Sequence, residues 1–284
     1  MIMSDIAGVV ILYNPDNSVY ENIKSYEDQV NVLYIYDNSE IINPEFAKEF
    51  QKKSSTYYIS NQVNLGIAKV LNDAANKAIE NGFDYLLTMD QDSKAPANLV
   101  ERLSKKASES TQFGIVSPLH SNKFNTHLKE IKDTEEYVNT TMTSGNLLSL
   151  NAYNSVGPFN EDFFIDYVDI EYCLRLKRNG YKIVRLNDLV LEHAEGNIFK
   201  KKMGSKVFYP INNAPIRYYY KTRNLLYLKN LYKSEFLKLL KIEYLVYIKN
   251  IGKMILFENQ KFNKISMIVI GILDYITKKK GKKA

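Results

Sequence analysis

Two groups of acids in this sequence are spaced for chemistry. Asp90 and Asp92 stand one residue apart in FDYLLTMDQDSKAP, residues 83–96, directly after an apolar and aromatic run. Side chains at i and i+2 of an extended segment point the same way, so at a strand-to-loop bend both can reach one ligand. Hard divalent cations such as Mg²⁺ and Mn²⁺ take carboxylate oxygens and leave positions open for phosphate. A D-x-D at a strand end therefore suits a metal–diphosphate. Asp166, Asp169 and Glu171 form a second group further on. One set of acids can hold a metal while another supplies a general base. Each residue also has an ordinary reading. Two close aspartates recur by chance, an acid after a strand is often a turn former, and acids at a helix start favour the macrodipole.

The elements before the first pair decide how it is read. Residues 6–13, IAGVVILY, predict a strand ended by Asn14-Pro15-Asp16-Asn17. Residues 31–36, NVLYIY, predict a second, ended by Asp37-Asn38-Ser39, and residues 56–60 a third. Asn64-Leu65-Gly66 precede a helical pattern that Gly82 stops, and residues 83–89 form the strand that carries the acids. Strands alternating with helices predict an α/β sheet with helices on both sides. In such sheets ligands sit beyond the carboxyl ends of the strands. Asp37, Asp90 and Asp92 all lie there and can converge on one crevice. Downstream, residues 114–118 predict a strand and residues 120–140 a polar loop or hairpin. A helix is expected over about 168–179, ended by Gly180, and the block after about 215 is helical in pattern.

Composition bounds the rest. The chain has 284 residues, 45% hydrophobic and 25% charged, an ordinary globular balance. One cysteine, Cys173, excludes an intrachain disulfide and fits a reducing compartment. The first ten residues lack the basic region of a signal peptide, so a cytoplasmic location is expected. Net charge is +6, and the last seven residues are KKKGKKA. That basic, aromatic-rich end suits an anionic membrane surface, or equally a solvated helical face. ISMIVIGIL, residues 265–273, is far short of the ~20 residues that span a bilayer, so contact with the inner membrane face could only be peripheral.

The pieces VVILYNPD (9–16), YIYDNSE (34–40), NLGIAKVLNDAANKA (64–78), LLTMDQDS (86–93), TSGNLLSL (143–150), FIDYVDIEYCLRLKRNGYKI (164–183), LEHAEGN (191–197) and RYYYKTRNLLYL (217–228) follow one another along the chain. In this order and spacing the chain resembles family 2 glycosyltransferases of the GT-A fold, most closely their bacterial rhamnosyltransferase branch. The resemblance implies a Rossmann-like, mostly parallel sheet flanked by helices over residues 1–215. A basic helical extension over 216–284 would make membrane-surface or oligomer contact, which leaves a homodimer open. It implies inverting, metal-dependent sugar transfer from a nucleotide-diphosphate donor, dTDP-L-rhamnose foremost. Galactofuranose and hexose donors stay open. The implied acceptor is a hydroxyl of a cell-surface or lipid-linked saccharide.

Residue by residue, the resemblance assigns Asp37, Asn38, Asn64 and Gly66 to the nucleotide. Asp90, Asp92 and His193 are assigned to Mg²⁺ or Mn²⁺, with Asp90, Arg217 and Arg223 at the diphosphate. Ser144, Gly145 and Asn146 are placed on the acceptor side. Asp169 matches the family's catalytic base. Val168 stands where that signature carries an acid, so Asp166 is a rival. A nucleotidyltransferase would carry a glycine-rich, basic loop after the first strand, where this chain reads YNPDNSVY. A non-catalytic saccharide-binding protein also remains open. No nucleic-acid-binding motif accompanies the basic tail.

Overall fold

The computed structural model describes residues 5–121, 133–194 and 198–283. They form two compact units, residues 1–161 with 172–194 and residues 162–171 with 195–284. The sequence predicts one cut at 215; by internal contacts the C-terminal helices group with residues from 195 onward and with 162–171. The segment around Asp166 and Asp169 belongs with the C-terminal helices.

The first unit is built on β1 (Ile6–Leu12), α1 (Ser18–Lys24), β2 (Val32–Asp37), α2 (Pro44–Phe50), β3 (Thr56–Ser60), α3 (Ile67–Glu80) and β4 (Tyr85–Asp90). It continues through β5 (Ser93–Lys94), α4 (Leu99–Ala107), β6 (Phe113–Ser121), β7 (Glu135–Val138), β8 (Asn146–Ser149) and α5 (Leu150–Val156). Helix α6 (Val168–Arg178) starts in the second unit and passes into the first at Tyr172, and strand β9 (Lys182–His193) follows. Among the described residues the sheet runs β3-β2-β1-β4-β8-β6-β9-β5, with β7 also on β9. The β3-β2-β1-β4 half is parallel, as expected from strands buried on both faces. Strand β8 then runs antiparallel to both β4 and β6, which makes β6 and β9 point the same way as β4. The C-terminal ends of β2, β4, β6 and β9 thus share one edge.

The core explains these elements. Val9, Val10, Leu12, Ile35, Leu86 and Leu87 are buried, each contributing about 1.5–3 kcal/mol relative to exposure. Helix α3 covers the sheet with Ala68, Ala74, Ala75 and Ala78, small enough for close approach. Asn72 on its inner face is fully used. It donates to Phe159 O (3.0 Å) and Glu161 Oε1 (2.9 Å) and accepts from Phe159 N (2.7 Å) and Tyr153 OH (3.1 Å). Strand β6 begins one residue before GIVSP and runs three beyond it, ending at Ser121, and residues 135–138 of the expected loop pair with β9. Residues 122–132 of that loop lie outside the described residues.

The second unit holds β10 (Lys201–Met203), β11 (Lys206–Phe208), α7 (Pro215–Tyr232), α8 (Leu237–Phe257) and α9 (Lys261–Ile276). Helix α7 is its centre, burying Tyr218, Tyr219, Tyr220, Leu225 and Leu228. Gly271 lets α9 come close, because a Cβ there would stand 2.8 Å from the Tyr219 carbonyl oxygen. Buried polar groups are paired: Tyr218 OH donates to Glu258 (2.8 Å), Lys264 bridges to Glu258 (2.8 Å), and Tyr219 OH donates to Asp274 (2.9 Å).

Candidate active site

Strand β4 delivers Asp90 to the shared edge, and the chain turns at Gln91 into β5. The turn is pinned by the middle residue of the D-x-D. Gln91 Oε1 accepts from Tyr13 N (2.8 Å), and its backbone carbonyl accepts from Asn22 Nδ2 (2.8 Å). Strand β5 pairs antiparallel with β9 so that Ser93 faces His193, and Ala194 N donates to Asp92 O (3.0 Å). This register brings His193 Nε2 to 3.5 Å from both Asp90 Oδ2 and Asp92 Oδ1. The imidazole is 9% exposed and the carboxylates about a third, so the group opens to solvent on its acidic side. One ligand atom from each residue lies within 4.8 Å of the others. Two carboxylate oxygens and an imidazole nitrogen fit a divalent cation that keeps further positions open.

The segment expected on the acceptor side lies beneath this cluster. Ser144 is buried; its Oγ accepts from Asp90 N (3.0 Å) and donates to Ser93 Oγ (2.7 Å). Gly145 has φ +76° and donates its N–H to Thr88 O (2.7 Å). A Cβ at Gly145 would meet Leu191 Cδ2 at 2.7 Å. Asn146 is buried and donates to Met142 O (2.6 Å); its Oδ1 finds no partner among the described residues. The correction is physical: Ser144 and Gly145 tie β4 to β8 and have no surface to offer an acceptor. His120, at the end of β6, was not singled out by any sequence signal. Its Nε2–H donates to Ser144 O (2.6 Å), and its ring stands edge-on to His193 at 6.4 Å. Burial holds its pKa below the usual histidine value, so it is a neutral support for the cluster.

At the end of β2, Asp37 is also buried. Its Oδ1 accepts from Ser39 N (2.9 Å) and its Oδ2 from Tyr58 OH. Strand β1 lies between β2 and β4, with Leu12 opposite Asp37 and Ile11 opposite Asp90. Two strand spacings put the Asp37 and Asp90 backbones roughly 10 Å apart. Asn38 Nδ2 donates to Gly66 O (3.4 Å), and Gly66 N to Asn64 Oδ1 (2.9 Å). Asp37 and Asn38 thus shape this edge through the turns they stabilise, and the Asp37 carboxylate itself is not presented to solvent.

The second acidic group lies in the other unit. Both oxygens of Asp166 accept from Arg217, at 2.7 Å from Nε and 2.7 Å from Nη2. This bidentate grip uses the arginine fork expected at a diphosphate and makes Asp166 the partner of Arg217. Asp169, in the first turn of α6, accepts from Ile170 N (2.9 Å). Glu171 is buried and accepts from Tyr232 OH (2.8 Å). Asp166 and Asp169 line a cavity of about 230 Å³ with Tyr167, Glu243, Tyr247 and Asn250. Burial raises the Glu243 carboxyl above its usual range and pushes the Tyr247 phenol up to about 12.

Arg223 is the clearest correction. It is 0% exposed. Its Nε donates to Asn224 Oδ1, Nη1 to Tyr219 OH and Gly281 O, and Nη2 to Asp162 O and Phe163 O, all within 3.4 Å. All five N–H donors are taken, so none can reach a diphosphate. Beside it, Asn224 Nδ2 donates to Phe163 O, Ile165 O and Asp166 O at 2.8–2.9 Å. The loop they hold carries positive φ at Phe164, Asp166 and Tyr167, a conformation that costs about 1–3 kcal/mol per residue and needs such support. The Arg223-Asn224 pair therefore clamps the loop that leads into Asp169.

A mixed α/β sheet flanked by helices, with a D-x-D cluster at its edge, is the architecture of the GT-A glycosyltransferase fold. The family model "Glycosyl transferase family 2" matches residues 9–159, and the chain belongs to that family. It is a nucleotide-sugar glycosyltransferase. The chain is 28% identical over 238 residues to the dTDP-rhamnosyl transferase RfbF of Shigella flexneri, covering 78% of each chain. In fold it is similar to S. aureus TarS 1–349, with TM-score 0.60, 11% identity, and 96% of this chain and 81% of that one covered. It is also similar to GalNAc-T7 solved with UDP, GalNAc and Mn²⁺, with TM-score 0.57 and 12% identity; 68% of this chain is covered, but only 44% of that one.

Proposed function

We propose that this enzyme transfers L-rhamnose from dTDP-L-rhamnose, with inversion, to a hydroxyl of a cell-surface or lipid-linked saccharide. The observation that carries the transfer chemistry is the Asp90–Asp92–His193 cluster at the sheet edge of a family 2 chain. The likeness to a dTDP-rhamnosyl transferase supports the donor. The lone, buried Cys173 supports a reducing, cytoplasmic setting.

In this reading Asp90, Asp92 and His193 hold Mg²⁺ or Mn²⁺, which when bound offsets the charge gained by the departing diphosphate. The backbone around Asn38, Asn64 and Gly66 takes the nucleoside end. Asp169 accepts the proton of the acceptor hydroxyl at a carboxylate oxygen as that hydroxyl attacks the anomeric carbon. Asp166, gripped by Arg217, and the Arg223-Asn224 clamp fix the loop from which Asp169 projects. His120 and Ser144 fix the metal side from behind.

The test is nucleotide release from a panel of nucleotide sugars, with and without Mn²⁺ or Mg²⁺, on wild type and Asp92→Asn. The reading expects metal-dependent release from dTDP-L-rhamnose that Asp92→Asn loses. Equal metal-free release by both proteins would reject the metal role, and release from a different donor alone would reject rhamnose.

A further inference from the structure

Helix α9 has two unlike sides. Its inner side holds Gly271, buried Lys264 and buried Asp274 against the unit's own core. Its outer side carries Phe262, Ile265, Val269, Ile272 and Ile276 at alternating spacings of three and four. All five are exposed, Phe262 by 89% and Ile276 by 65%. Helix α8 repeats the arrangement. Leu240, Tyr247 and Met254 face inward, while Leu237, Ile242, Leu245, Ile248 and Leu256 are exposed. Lys238, Lys241 and Lys249 are exposed among them. Single exposed apolar side chains are ordinary, but apolar rows along the outer sides of two consecutive helices mark a contact surface.

We propose that the outer faces of α8 and α9 dock on an anionic lipid bilayer, lying in its interface without crossing it. Charge selects this occupant over a second copy of the chain. Lys238, Lys241 and Lys249 stand exposed among the apolar side chains of α8, whereas the one carboxylate of that helix, Glu243, lines the unit's own cavity. Two such surfaces would repel each other, and a bilayer carrying negative headgroups attracts either one. The row on α9 is flanked by Asn263 and Ser266, not by the complementary charges that set pairing in a coiled coil. Lysines beside an apolar helix face are the composition of interfacial helices, whose apolar side sinks about 5–10 Å into the headgroup boundary. No described helix is long and apolar enough to cross a membrane. The proposal is independent of which sugar is transferred.

The experiment is co-sedimentation of the full chain with phosphatidylcholine vesicles, with and without phosphatidylglycerol, at low and high salt. Light scattering of the same samples reports oligomeric state. Wild type is expected to bind the anionic vesicles only, and less at high salt. Phe262→Asp with Ile276→Asp, two exposed positions, is expected to weaken binding at least tenfold. Lys238→Gln, Lys241→Gln and Lys249→Gln together are expected to weaken it by about fivefold per lysine. Unchanged thermal melts keep a folding defect from passing as a binding defect. Absence of wild-type binding, or full binding by the apolar double variant, overturns the proposal. A dimer that Phe262→Asp dissolves, with vesicles ignored, assigns the face to a second copy instead.

Discussion

The guanidinium of Arg217 grips the Asp166 carboxylate through two parallel hydrogen bonds of 2.7 Å, fixing Asp166 at the wall of the cavity that Asp169 also lines. Arg217→Ala removes both bonds and leaves a nearly buried carboxylate without that partner. The expected loss of stability is about 2 kcal/mol, reduced from a fully buried pair because the arginine is 39% exposed. Arg217→Lys restores charge but not the fork and recovers only part of it. Thermal melts of the two variants check this ordering.

Asn224→Ala is predicted to act on catalysis through the loop. Three carbonyl acceptors lose their shared donor, and residues with positive φ lose their clamp. Stability is expected to fall by about 1–3 kcal/mol. Transfer kcat should fall while the donor KM holds. A rise in donor KM with unchanged kcat would place the residue at the donor instead.

On the metal side, His193→Ala and Asp92→Asn should each weaken Mn²⁺ binding by tenfold or more in isothermal titration, without added donor. Gly145→Ala should destabilise the same edge by about 1–3 kcal/mol, since its Cβ would crowd Leu191 and its φ is positive. Wild-type stability in that variant would contradict the packing beneath Asp90.

Glu243 sets a pH dependence. Burial raises its pKa in the folded protein above the unfolded value. Below the unfolded value both states are protonated and the site costs nothing. As pH rises through the folded pKa, ionisation is favoured more in the unfolded chain, and stability is lost. Glu243→Gln is therefore expected to raise Tm at pH 8 and to leave it unchanged near pH 4. A gain confined to low pH would reverse the sign.

The parallel half of the sheet and the D-x-D at its edge were legible because long apolar runs ending in Asp37 and Asp90 carry a local signal. What surrounds them does not. Strand β5 is two residues long, too short for any periodicity, yet its pairing with β9 brings His193 to Asp92. Resemblance alone puts Ser144 on the acceptor side; the antiparallel pairing of β8 with β4, which no local pattern marks, makes it a buried brace. Arg223 is indistinguishable in sequence from a phosphate-binding arginine. Only burial, with five donors held by the protein, shows its role. Gln91 sits inside the motif, but what it holds, Tyr13 and Asn22, lies far away along the chain.

The central claim is that Asp169 removes the acceptor proton while the metal cluster serves the donor. The most direct measurement compares Asp169→Asn with Asp166→Asn for sugar transfer at saturating donor and Mn²⁺, with Mn²⁺ affinity measured on both. Asp169→Asn is predicted to lower kcat about 10²–10⁴-fold with metal affinity unchanged, and Asp166→Asn to lower it by less than about tenfold. A larger loss at Asp166, or near-normal transfer by Asp169→Asn, would contradict it.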